Sequence, residues 1–137
     1  MPRLESAAAA ALDCQTRDIV PTFSSIDLTN RIAEIFQACR APREAAQIVS
    51  EHLVDAEACG VVSHGIIRVP QYAQAISEGR VIPDARLKTV REHIATAVLD
   101  GGHGFGQVMA RAAMDVAIAR AEKAGVGAVS LVNCGHT

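Results

Sequence analysis

The residues of this chain best suited to chemistry are Ser63, His64 and Arg68, inside the stretch DAEACGVVSHGIIRVPQY at 55–72. His64, Arg68 and Tyr72 follow one another at intervals of four. A histidine exchanges a proton near neutral pH. An arginine offers a planar fork of N–H donors that matches a carboxylate. Together they could hold a small carboxylic acid and move a proton on the group beside its carboxylate. A plainer reading uses the same residues: Ser63 as the N-cap of the next helix, Gly65 in a tight backbone, and His64 and Arg68 as solvated surface groups. Short patterns match by chance often enough that the residues alone leave both readings open.

The flanking elements must position this stretch. Leu28, Ile32, Ile35, Phe36 and Cys39 recur at helical spacing and predict an amphipathic helix over about 26–39. Pro42 opens a second helix whose buried face is Ala46, Val49, Leu53 and Ala56, and Gly60 ends it. His52 lies off that stripe and reads as a surface residue. The third helix ends at Gly79, but its start is ambiguous because Pro70 is unsuited to a helix interior. It begins either near 68–69 or at Ser63 with a kink.

After Gly79 the period changes. Residues 87–92 and 95–100 read as two short strands joined by a turn at His93-Ile94. The loop GGHGFG at 101–106 then leads into a helix of about 107–123. A glycine-rich turn ahead of a helix invites phosphate binding. Counted from Gly102, however, the third glycine of the dinucleotide fingerprint is replaced by Gln107, and there is no Walker lysine. A tight structural loop is the better reading. Gln107, Arg111 and Asp115 form one polar line on a helix otherwise so apolar that much of its circumference should be buried. Gly125 caps it, and 128–132 reads as a buried strand. Such a strand would sit at an edge or lack partners, so the chain is expected to be the front portion of a larger protein.

The 137 residues are the size of one domain, and half of them are hydrophobic, as in a globular protein. Residues 1–23 fall outside the pattern and read as a disordered or weakly helical extension. The formal net charge of −2 gives no basic footprint for nucleic acid, and no apolar run is long enough to span a membrane. Cys14, Cys39, Cys59 and Cys134 show neither CxxC pairs nor ligand-like spacing to histidine. This predicts free thiols, a cytoplasmic setting and no metal site, with His103 lacking any partner at ligand spacing.

From about Ser24 onward the sequence resembles the malate/L-lactate dehydrogenase family, which is distinct from the Rossmann-type dehydrogenases. The markers are AEACGVVSHGIIRVPQY, EGRVIPDA at 78–85, VLDGGHGFGQ at 98–107, AIARAEKAGVGAV at 117–129 and NCGH at 133–136. The resemblance implies a mixed α/β fold: a helical segment over 24–79, then a β-hairpin and a strand–helix–strand unit over 80–137. That second part would be the truncated start of a cofactor domain. It implies a 2-hydroxy-acid dehydrogenase using NAD or NADP, with His64 as proton donor and acceptor and Ser63 bonded in the same site. Arg68 would contact the substrate carboxylate, Tyr72 would give structural support, and His136 would lie near substrate and cofactor. The remaining cofactor contacts are expected beyond the chain end, and complete members are expected to be homodimers. The rival expectation is a non-catalytic truncated product serving as a helical dimerisation or binding module.

Overall fold

The computed structural model describes residues 22–135. The reading of the N-terminal extension, apart from Thr22 and Phe23, and the site reading of His136 lie outside the described residues. Helix α1 spans Ser25–Ala38, α2 Arg43–Ala58, α3 Arg68–Ser77 and α4 Gly106–Ala124. A 3₁₀ turn covers Val62–His64, and strands β1, β2 and β3 are Lys88–Glu92, Thr96–Asp100 and Ala128–Val132. The chain is thus mixed α/β, with helices first and a small sheet after them.

Local chemistry accounts for most of these limits. Leu28 N–H donates to the Ser24 carbonyl at 2.9 Å, the first bond of α1. Pro42 stands just ahead of α2, where a missing N–H costs no helical bond. Gly60, Gly79 and Gly125 follow α2, α3 and α4 with φ of +76°, +70° and +78°, the left-handed geometry that closes helices and suits glycine. After α1 the same place is taken by Arg40 at φ +68°. Pro70 is the third residue of α3, inside the first turn where N–H groups have no helical partner. This selects the later of the two starts.

The first core lies between α1, α2 and α3. Phe36, Ala46, Val49 and Leu53 are wholly buried there. Phe36, Tyr72 and Phe105 meet within it, with centroids 5.7 Å apart for Phe36–Phe105, 6.3 Å for Phe36–Tyr72 and 6.2 Å for Tyr72–Phe105. Such offset and edge-on pairs add to burial. Phe105 directly precedes α4, so the start of this helix is anchored in the helical core. Ile35 is exposed, although its spacing placed it on the buried stripe of α1.

The sheet has the order β1-β2-β3. β1 and β2 pair antiparallel, with an irregularity between Thr89 and Arg91. β2 and β3 pair parallel, in register from Thr96↔Ala128 to Asp100↔Val132, and α4 is the crossover between them. Ala97 and Leu99 pack with Ala113, Val116, Val129 and Leu131 to form a second core. Two expectations of burial are corrected here. In β3, Ala128, Ser130 and Val132 are exposed, because α4 covers only one face of the sheet. On α4, Met114 and Ile118 are exposed, while Gln107 of the expected polar line is buried. Among the described residues no helix is long and apolar enough to cross a membrane.

Candidate active site

The Ser63-His64-Gly65 stretch runs between α2 and α3 as a series of tight turns. His64 N–H donates to the Val61 carbonyl at 2.9 Å, Gly65 N–H to Val62 at 3.1 Å and Arg68 N–H to Gly65 at 3.0 Å. Ser63 therefore lies inside a 3₁₀ turn and does not cap α3, whose N-cap is Ile67. The N-cap reading fails because the helix starts several residues later.

Ser63 is the hub of the turn. Its Oγ is hydrogen-bonded to His64 Nδ1 at 3.0 Å, the direction depending on the ring tautomer. Its backbone carbonyl accepts from Arg68 Nε at 2.6 Å. Arg68 Nη1 donates to Gln71 Oε1 at 2.8 Å. Ser63 and His64 are exposed and Arg68 is half-buried, so ring and guanidinium stand at the surface on one braced turn. The structure brings Ser63, His64 and Arg68 together.

Tyr72, one turn beyond Arg68, is turned into the core. It is 8 % exposed, and its hydroxyl accepts from Gln107 Nε2 at 3.0 Å. Two residues of this region were given no part in the site by the sequence reading. Glu57, on the last turn of α2, accepts from Ile66 N–H through Oε2 at 3.0 Å. Gln107 joins α4 to α3. A glutamine opening an otherwise apolar helix was the one signal for Gln107, and nothing local marked Glu57.

The glycine-rich loop lies at the carboxyl ends of β2 and β3. Gly102 and His103 have φ of +56° and +60°. His103 N–H donates to the Asn133 carbonyl at 2.6 Å, and Gly135 N–H to the Gly104 carbonyl at 2.8 Å. A Cβ at Gly104 would lie 2.7 Å from Met109 Cε and 3.1 Å from Ala85 Cβ, so packing accounts for this glycine. Asp100 closes the loop, accepting from Gly102 N–H at 2.8 Å and from Asn133 Nδ2 at 3.1 Å. The Gly102 N–H, then the Asn133 amide, hold its carboxyl below the usual aspartate range, with smaller help from His103 and Lys88 and against the effect of burial. Among the described residues no group of three His, Cys, Asp or Glu side chains could hold a metal ion.

A helical segment that presents a Ser-His-Gly turn is thus joined to a small mixed sheet. The sequence profile of the malate/L-lactate dehydrogenase family matches residues 23–137, and the chain belongs to that family. It is 42% identical over 105 residues to the L-sulfolactate dehydrogenase of Methanocaldococcus jannaschii, covering 77% of this chain and 30% of that protein. It is 36% identical over 114 residues to hydroxycarboxylate dehydrogenase B of Escherichia coli, covering 83% of this chain and 32% of that protein. The malate dehydrogenase structure from Pyrococcus horikoshii superposes with a TM-score of 0.81 at 33% identity, covering 85% of this chain and 33% of that one. The chain thus spans about a third of the length of these relatives.

Proposed function

We propose that this chain carries the acid–base and carboxylate-binding part of a 2-hydroxy-acid dehydrogenase acting with NAD or NADP in the cytoplasm. The observation that carries the reading is the Ser63 hub, which ties the His64 ring and the Arg68 guanidinium to one turn. Family membership supports the reaction class.

In the reducing direction the substrate is a small 2-keto acid. Arg68 pairs with its carboxylate through guanidinium N–H groups not engaged by Ser63 and Gln71. A reduced nicotinamide, when bound, would supply the hydride to the carbonyl carbon. His64, as imidazolium, gives its Nε2 proton to the oxygen that becomes the hydroxyl, while Nδ1–H donates to Ser63 Oγ. The neutral ring takes a proton back in the oxidising direction. The donor set fits such a cofactor: His64 supplies a proton and Arg68 an anion contact, and neither supplies the electron pair that carbonyl reduction needs. His136 is the residue of this chain proposed to contact it. The helical part, with Ile26 and Ile35 exposed on α1, serves as homodimer surface.

The test is the intact mass and activity of the product made from its native locus with an N-terminal tag. The reading expects a product more than twice the 14.4 kDa of this chain, with keto-acid-dependent oxidation of NADH or NADPH, and no turnover by the 137-residue chain alone. A native product of 14.4 kDa without turnover would leave a non-catalytic module in its place.

A further inference from the structure

We propose that Glu57 is the positioning residue of the Ser63–Arg68 turn, holding His64 and Arg68 in fixed relation; this rests on the functional reading above. Two independent features of the turn converge on this carboxylate. The first is the bond from Ile66 N–H to Glu57 Oε2 at 3.0 Å, two residues past His64 and just ahead of α3. Helix α3 has no acidic residue in its first turn and no side-chain cap of its own. A carboxylate suits a helix N-terminus, where unpaired N–H groups carry partial positive charge. Glu57 supplies from α2 what α3 lacks in its own sequence.

The second feature is Gly65. Its φ of −87° is open to any residue, so backbone conformation does not call for glycine. A Cβ there would overlap Glu57 Oε2 and come within 3.2 Å of Glu57 Cα. The missing side chain is the room in which the Glu57 carboxylate sits. The glycine of Ser-His-Gly is therefore explained by the acid eight residues before it. With Arg68 Nε on the Ser63 carbonyl, the turn is pinned at both ends. Loss of the Glu57 end frees His64 and Arg68 to move independently.

The experiment uses the native product, with Glu57→Ala, Glu57→Gln and Gly65→Ala, read by residue-resolved NMR. Expected for Glu57→Ala is Ile66 amide exchange at least about tenfold faster, as befits loss of a hydrogen bond to a charged acceptor. The Arg68 Nε–H signal broadens, while amides inside α1 keep their protection. Glu57→Gln retains an acceptor and restores both signals, and Gly65→Ala reproduces the Glu57→Ala pattern by displacing the carboxylate. Should Glu57→Ala unfold, Glu57→Gln and Gly65→Ala decide alone. Unchanged Ile66 protection and an unchanged Arg68 signal in Glu57→Ala, or in Gly65→Ala, overturn the proposal. Titration of the wild type with oxamate, a 2-keto-acid mimic, separates the two readings. Oxamate shifts at His64 and Arg68 that weaken in Glu57→Ala support positioning, and shifts that stay undiminished overturn it. Absence of shifts in the wild type counts against the dehydrogenase reading, while exchange at Ile66 still judges the clamp.

Discussion

Gln107 Nε2 donates to the Tyr72 hydroxyl at 3.0 Å, a buried bond between the first turn of α4 and the helix that carries Arg68. Gln107 Oε1 is buried beside it without a hydrogen-bond partner among the described residues. Replacing Tyr72 by Phe leaves Nε2 without its acceptor as well, at a cost of about 1–3 kcal/mol. Tyr72→Phe combined with Gln107→Leu is expected to cost less than Tyr72→Phe alone, because both polar partners leave together. Urea unfolding of the two single variants and the double variant gives the coupling.

Gly127, between α4 and β3, is a second point where the fold permits no side chain. A Cβ there would overlap the Ala117 carbonyl oxygen and lie 2.9 Å from Ala121 N. These are helix backbone atoms, which cannot swing aside. Gly127→Ala is expected to lower stability by about 1–3 kcal/mol, the usual cost of overpacking. Thermal unfolding monitored by circular dichroism checks this.

Asp100 makes a pH prediction with a definite sign. Its carboxyl is held below the usual range by the Gly102 N–H and then by Asn133. A folded pKa below the unfolded value means stability that is full above the unfolded pKa and is lost as pH falls through the folded one. The loss should begin below the ordinary aspartate value of about 3.9. Asp100→Asn removes that component, and comparing unfolding midpoints with wild type from neutral pH down to about pH 3 measures it. A carboxyl titration at or above the ordinary value would contradict the assignment.

Element types and limits were legible where a residue's backbone chemistry marks an end: Pro42 before α2, and Gly60, Gly79 and Gly125 after three helices. Arg40 went unnoticed because a left-handed non-glycine leaves no mark in the sequence. The start of α3 stayed open because a 3₁₀ turn and a helix share short-range spacing. Only the placement of Pro70 in the first turn decides it. Burial of β3 and α4 was over-read, since an apolar run shows what prefers to be covered and not what covers it. In the site, Ser63, His64 and Arg68 were legible as types. The hub was not, because it depends on a backbone carbonyl that every residue possesses, and Glu57 reaches the turn only through tertiary geometry.

Arg68→Lys keeps the charge and loses the planar fork, which is not a conservative change at a bidentate site. With the native product, KM for the 2-keto acid is expected to rise about ten- to a hundredfold, as for loss of a hydrogen bond to a charged group, with a smaller change in kcat. Steady-state kinetics over a range of keto-acid concentrations checks it. An unchanged KM would remove Arg68 from carboxylate recognition.

The most direct test of the account is His64→Asn in the native product, assayed for 2-keto-acid-dependent oxidation of NADH or NADPH. Asparagine occupies similar space and cannot donate a proton from a ring. The account predicts a fall in kcat of about 10²–10⁴-fold, the usual contribution of a general acid, with KM little changed. Reduction by His64→Asn at the wild-type rate would contradict it.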